Sequence, residues 1–160
     1  MATQLYESDF YGWTQDQSAK LRRLQGERVN LDIDFQNLAE EIESLGRSDH
    51  RQLVSRLEEI CIHLLKLHYS LSCEPRRGWK NSVCGQRRSI ARLLEESPSL
   101  KPRLTEALAR GYEDALRHFD IEKLISLTMP MHLPGTSPFD VEDCLADEWW
   151  PEPRGADDDA

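Results

Sequence analysis

Arg56 and His63 stand seven residues apart, two turns along one face of any helix that carries both. An arginine so placed can hold a phosphate while an imidazole moves a proton, the smallest set of parts for phosphodiester cleavage. The plainer reading is a surface arginine and a partly buried histidine. Glu59, four residues before His63, offers a second chemistry, because a carboxylate and an imidazole on one face can share a metal ion. Carboxylate-bridged bundles need Glu-x-x-His pairs on two helices, and the chain has no second motif of that kind. Glu40, Glu41 and Glu43, with Asp32 and Asp34 upstream, read as a solvated acidic face in the first turns of a helix.

A third constellation is a basic segment. Arg76, Arg77, Lys80, Arg87, Arg88 and Arg92 occur with no acid between them, and Trp79 lies among them. Cations against phosphates and aromatic rings against bases are the parts of a nucleic-acid surface, so these six are candidate partner-binding residues. The formal net charge is −9, yet nine acids and one base fall within Asp140 to Ala160, so the rest of the chain is nearly neutral. That acidic end would repel a nucleic acid or compete with it. The preferred reading is that the basic segment answers acids, in this chain or on a protein partner. The sequence holds no G-x-S-x-G, P-loop, Rossmann glycine pattern, H-E-x-x-H or zinc-ligand spacing.

The elements that must position these residues are helical. Ser8 and Asp9 can cap a first helix whose face is Phe10, Trp13, Leu21 and Leu24, with Gly26 as its stop. A long second helix opens at Asp34. Its apolar stripe runs Leu38, Ile42, Leu45, Leu53, Leu57, Ile60, Leu64, Leu67 and Leu71, with one beat missing at Asp49. Gly46 lies inside it. A glycine there costs only ~1 kcal/mol, less than burying the stripe contributes, so one helix is expected with any bend at Gly46. Pro75 and Gly78 break the pattern before a third helix with Trp79, Val83, Ile90, Leu93 and Leu94 on one face and much of the basic segment opposite. A fourth follows Pro102 with Leu104, Leu108, Tyr112, Ala115 and Phe119, continuing to about Leu127. Thr128 to Pro138 reads as a loop. A short helix from Asp140 turns Val141, Cys144 and Leu145 inward, and Trp149-Trp150-Pro151 anchors the end.

The bulk figures agree with a folded chain. With 160 residues, 39% apolar and 31% charged, one domain over 1–152 is expected, with 153–160 as a disordered acidic tail. Cys61, Cys73, Cys84 and Cys144 are scattered, which suits a reducing cytosol, and Cys61 reads as a small core residue. The N-terminus lacks the basic and apolar runs of a signal peptide, and no window is apolar enough to span a membrane. A cytoplasmic location without membrane contact is the expectation.

Several stretches resemble one known family. They are D-F-Y-G-W-T at Asp9–Thr14, N-L-A-E-E-I-E-S-L-G-R-S at Asn37–Ser48, H-L-L-K-L at His63–Leu67 and W-K-N-S-V at Trp79–Val83. Q-R-R-S-I at Gln86–Ile90, L-L-E-E-S-P-S-L at Leu93–Leu100 and D-E-W-W-P-E at Asp147–Glu152 complete the set. Together they resemble the bacterial family catalogued as domain of unknown function family 29, over about Tyr6 to Glu152. The resemblance implies a small all-helical bacterial protein and carries over no catalytic residue. Separately, the Arg56–His63 spacing resembles the Arg-x(4–6)-His signature of HEPN-type ribonucleases, although Leu57 stands where those enzymes usually have a polar residue.

The expectation is an all-α bundle of four main helices around one long second helix, plus a short C-terminal helix. The function expected is a non-enzymatic interaction or regulatory module. It would bind an unknown protein partner and copies of itself, through whatever part of the long stripe the other helices leave uncovered, without a cofactor. The alternative is a nucleic-acid-binding protein or weak HEPN-like ribonuclease that uses the Arg76–Arg92 segment.

Overall fold

The structure, a computed structural model, describes residues 2–27, 30–70, 75–118 and 133–153. It is all-α, with no strand among the described residues. In order come α1 (Ala2–Ser8), α2 (Phe10–Gly26), α3 (Phe35–Tyr69), α4 (Arg76–Glu96), a 3-10 helix (Pro98–Arg103), α5 (Leu104–Leu116) and α6 (Val141–Leu145). The continuation towards Leu127, residues 128–132 of the expected loop and the 154–160 tail lie outside the described residues. The chain forms two compact units, Met1–Gln52 with Ala91–Arg103, and Leu53–Ile90 with Leu104–Ala160.

Local signals set the helix ends. Asp9 does not start the first helix, since α1 precedes it; it caps α2, accepting from Gly12 N–H at 3.1 Å. Asp34 caps α3 by accepting from Asn37 N–H at 3.0 Å. The break before α4 is narrower than expected. Gly78 lies inside the helix, and Trp79 N–H already donates to the Pro75 carbonyl at 3.1 Å. At α6, Asp140 and Asp143 exchange the two bonds of a capping box.

The first unit corrects the expected faces. On α2 the buried positions are Tyr11, Thr14 and Ser18, while Phe10, Trp13, Leu21 and Leu24 are half-buried. On α3 the buried positions here are Ala39 and Gly46, while their neighbours Leu38 and Leu45 are 45% and 50% exposed. The expected stripe is thus out of phase by one residue, or ~100°, over this stretch. Small residues explain the shift. A Cβ on Gly46 would overlap Thr14 Oγ1, so the two helices approach at a point where any larger residue would have to displace the Thr14 hydroxyl. Thr14 and Ser18 satisfy themselves, donating to the carbonyls of Tyr11 and Gln15 at 2.7 and 3.1 Å. Gly46 therefore marks a helix contact, and α3 runs through it unbroken.

The second unit follows the expected stripe. Leu53, Leu57, Ile60, Leu64 and Leu67 of α3 are buried with Val83 and Ile90 of α4, and with Leu108, Tyr112 and Ala115 of α5. Each such side chain contributes about 1.5–3 kcal/mol of gross burial. Gly111 brings α5 against the α3 backbone, where a Cβ would lie 2.9 Å from both Val54 O and Glu58 N. Cys144 of α6 is buried, whereas Val141 and Leu145, expected inside, are half-buried.

Candidate functional site

The basic segment does not present six free cations. Arg87, a candidate partner-binding residue, is 3% exposed, on the same side of α4 as Val83 and Ile90. Its Nε donates to Cys144 O at 2.9 Å, Nη1 to Asp147 O at 3.2 Å, and Nη2 to Asp143 O and Trp149 O, each at 3.1 Å. The guanidinium also lies 4.8 Å from the centroid of the Trp150 ring. Burial pushes its pKa down, and Cys84, Cys144 and Asp147 oppose that. Arg76 donates to Leu67 O at 2.6 Å and Ser70 O at 3.2 Å, closing the C-terminal turn of α3. Lys80, two turns before Arg87 on α4, lies 5.0 Å from the centroid of the same Trp150 ring. Arg77, Arg88 and Arg92 are exposed.

The Trp149-Trp150-Pro151 end is held as expected. Trp149 stacks edge-on to Phe139 at 5.8 Å, Pro151 is buried, and His68 Nδ1 lies 2.6 Å from Glu152 O.

Arg56 and His63 reach different partners. Arg56 extends to α4, donating to Gln86 Oε1 at 3.1 Å. His63 Nε2 lies 3.6 Å from Glu59, and its Nδ1 is buried without a partner. Burial lowers the His63 pKa, Lys66 lowers it further and Glu59 raises it in part. A neutral imidazole in that position could accept a proton or a metal. Yet no group of three His, Cys, Asp or Glu side chains suited to a metal occurs among the described residues. Cys61 is buried and hydrogen-bonded to the Cys144 thiol, which, with burial, raises its pKa and keeps it a thiol.

A cleft of about 590 Å3 lies beside α5, lined by Leu108, Tyr112 and Phe139 and by Glu113, Asp140 and Asp143. Asp140 and Asp143 serve the α6 cap. Tyr112 donates to Pro134 O at 2.7 Å, and burial pushes its pKa up to about 12.

Sequence reasoning missed a polar knot and a pocket in the first unit. Ser97 Oγ accepts from Tyr11 N–H and donates to Asp49 Oδ2, both at 3.1 Å, while Asp9 accepts from Ser99 N–H at 3.3 Å and from the Ser99 hydroxyl. Burial raises the Asp49 pKa, the Ser97 bond lowers it and Glu96 raises it. Beside the knot, Tyr11, Arg47, His50, Arg51 and Arg103 line a pocket of about 290 Å3. The one readable signal was the Arg47, His50, Arg51 spacing, which puts three side chains on one helical face. Arg103 joins them from a distant segment that no local pattern announces.

Among the described residues no helix is long and apolar enough to cross a membrane. Residues 5–150 match the family described as "Domain of unknown function DUF29", and the chain belongs to that family. Its fold is similar to the crystal structure of an alpha-helical protein of unknown function from Rhodospirillum rubrum. The two are 26% identical with a TM-score of 0.68, over 90% of each chain. No curated protein matches the chain.

Proposed function

We propose that this DUF29 chain is a non-enzymatic interaction module of the bacterial cytosol. It docks a partner protein on large apolar residues that its first unit leaves uncovered, with a second copy of the chain as one such partner. The observation that carries this reading is the exposure of Leu38 and Leu45 beside buried Ala39 and Gly46. Phe35, Leu38, Ile42 and Leu45 follow steps of three, four and three, the spacing of a helix-pairing seam. Tyr6, Leu31 and Ile33 of the same unit are also exposed. Scattered surface leucines need no explanation, but a seam-spaced pair on a helix whose small residues face inward does.

The test is sedimentation of the purified chain up to high micromolar concentration, beside co-purification from cytosol. Self-association or a stoichiometric protein partner is expected. The double variant Leu38→Glu/Leu45→Glu should weaken it about a hundredfold or more, from the two lost apolar contacts. A chain that stays monomeric and captures nothing, or a double variant that binds as well as the parent, rejects the reading.

The second reading is nucleic-acid binding, with weak HEPN-like cleavage by Arg56 and His63. It is favoured by the exposure of Arg77 and Arg88 and weakened by the internal engagement of Arg76 and Arg87. RNA binding at low salt, lost in Arg77→Glu/Arg88→Glu, would promote it.

A further inference from the structure

We propose that the pocket lined by Tyr11, Arg47, His50, Arg51 and Arg103 is a binding site for a small phosphate-bearing ligand. Three guanidinium groups line one space of about 290 Å3, and no carboxylate lines it with them. The chain as a whole carries a net charge of −9, so this concentration of positive charge runs against its composition. An anion in this space would meet three guanidinium groups at once, whatever other partners each of them has. Arginine is also the residue whose planar fork matches two phosphate oxygens at once, and no lysine lines the pocket.

The walls are held in place before any ligand arrives. The Arg103 guanidinium sits 5.8 Å over the Tyr11 ring. Tyr11 is fixed in turn by its N–H to Ser97, which also holds Asp49, the residue before His50. Arg47 has a carboxylate nearby, Glu43 at 3.5 Å, but that half-buried acid is shared with Arg22. His50 Nε2 is buried and has no hydrogen-bond partner, a deficit that proteins rarely leave without a reason. The volume sits at the lower edge of small-molecule sites, so the ligand is a free phosphate or a compact phosphate ester.

The test is amide NMR of the full chain, titrated separately with inorganic phosphate and adenosine 5′-monophosphate at constant ionic strength. Saturable shifts at Arg47–Arg51 and Arg103 are expected. Arg51→Gln should weaken binding roughly tenfold or more, as loss of a charge-assisted bond implies. Arg51 is exposed, so the variant should keep the parent melting temperature; if it does not, Arg47→Gln carries the test. Equal affinities assign the free anion, and tighter binding of the monophosphate assigns an ester. No shifts, shifts that fail to saturate, or unchanged affinity in the arginine variant would overturn the proposal.

Discussion

A Cβ on Gly111 would sit 2.9 Å from the Val54 carbonyl oxygen, closer than real side chains approach a backbone. A glycine-to-alanine change in a helix interior ordinarily stabilises by up to about 1 kcal/mol. Here the sign reverses, because α3 backbone cannot swing aside as a side chain tip can. Gly111→Ala should destabilise by about 1–3 kcal/mol. Gly85→Ala, on α4 with nothing near its Cβ, should instead be neutral or stabilising. Urea unfolding of the pair measures both.

Arg87→Ala leaves four carbonyls without their donor. The expected loss is about 2–4 kcal/mol, with a change in the near-ultraviolet dichroism of the tryptophans. Arg87→Lys should recover less than half of it, since a single ammonium cannot span what the planar fork reaches.

His63 gives a pH dependence with a definite sign. Its folded pKa is lowered from the ordinary 6.5, so the unfolded chain binds the extra proton first as pH falls. The stability it contributes is full above 6.5 and is lost as pH falls through its folded pKa. Unfolding at pH 8 and pH 5.5 should show that loss, and His63→Gln should show a smaller one. Equal losses in both would remove His63 as the cause. Asp49 has the opposite sign: its raised pKa costs stability as pH rises above 3.8, so Asp49→Asn should leave neutral-pH stability equal or higher.

The face shift on α3 predicts an inversion of the usual hydrophobic rule. Leu38→Glu and Leu45→Glu should each change monomer stability by no more than about 0.5 kcal/mol. Ala39→Leu, which adds apolar volume at a fully buried position, should cost about 1–3 kcal/mol. Thermal unfolding at low concentration separates these effects from association.

The second unit was legible because its buried residues are large: Leu53, Leu57, Ile60, Leu64 and Leu67 announce their face by periodicity. On α2 and α3 of the first unit the buried residues beside Tyr11 are Thr14, Ser18, Ala39 and Gly46, which carry little hydropathy, so the pattern followed the exposed leucines instead. The burial of Arg87 was hidden for a related reason. Charge predicts exposure until four carbonyls converge on one side chain, and that convergence depends on residues 56 to 62 positions away. The Arg47–His50–Arg51 face could be read from spacing, but its closure by Arg103 could not.

The manner in which Arg87 grips the C-terminal end has a consequence for how that end can change. Its four acceptors belong to the main chain of Asp143, Cys144, Asp147 and Trp149, whatever side chains stand there. The grip is therefore indifferent to the lettering of the acidic end. Charges at an exposed position such as Asp147 can be rewritten, to suit a different partner or ionic setting, while the segment stays docked where Arg87 holds it.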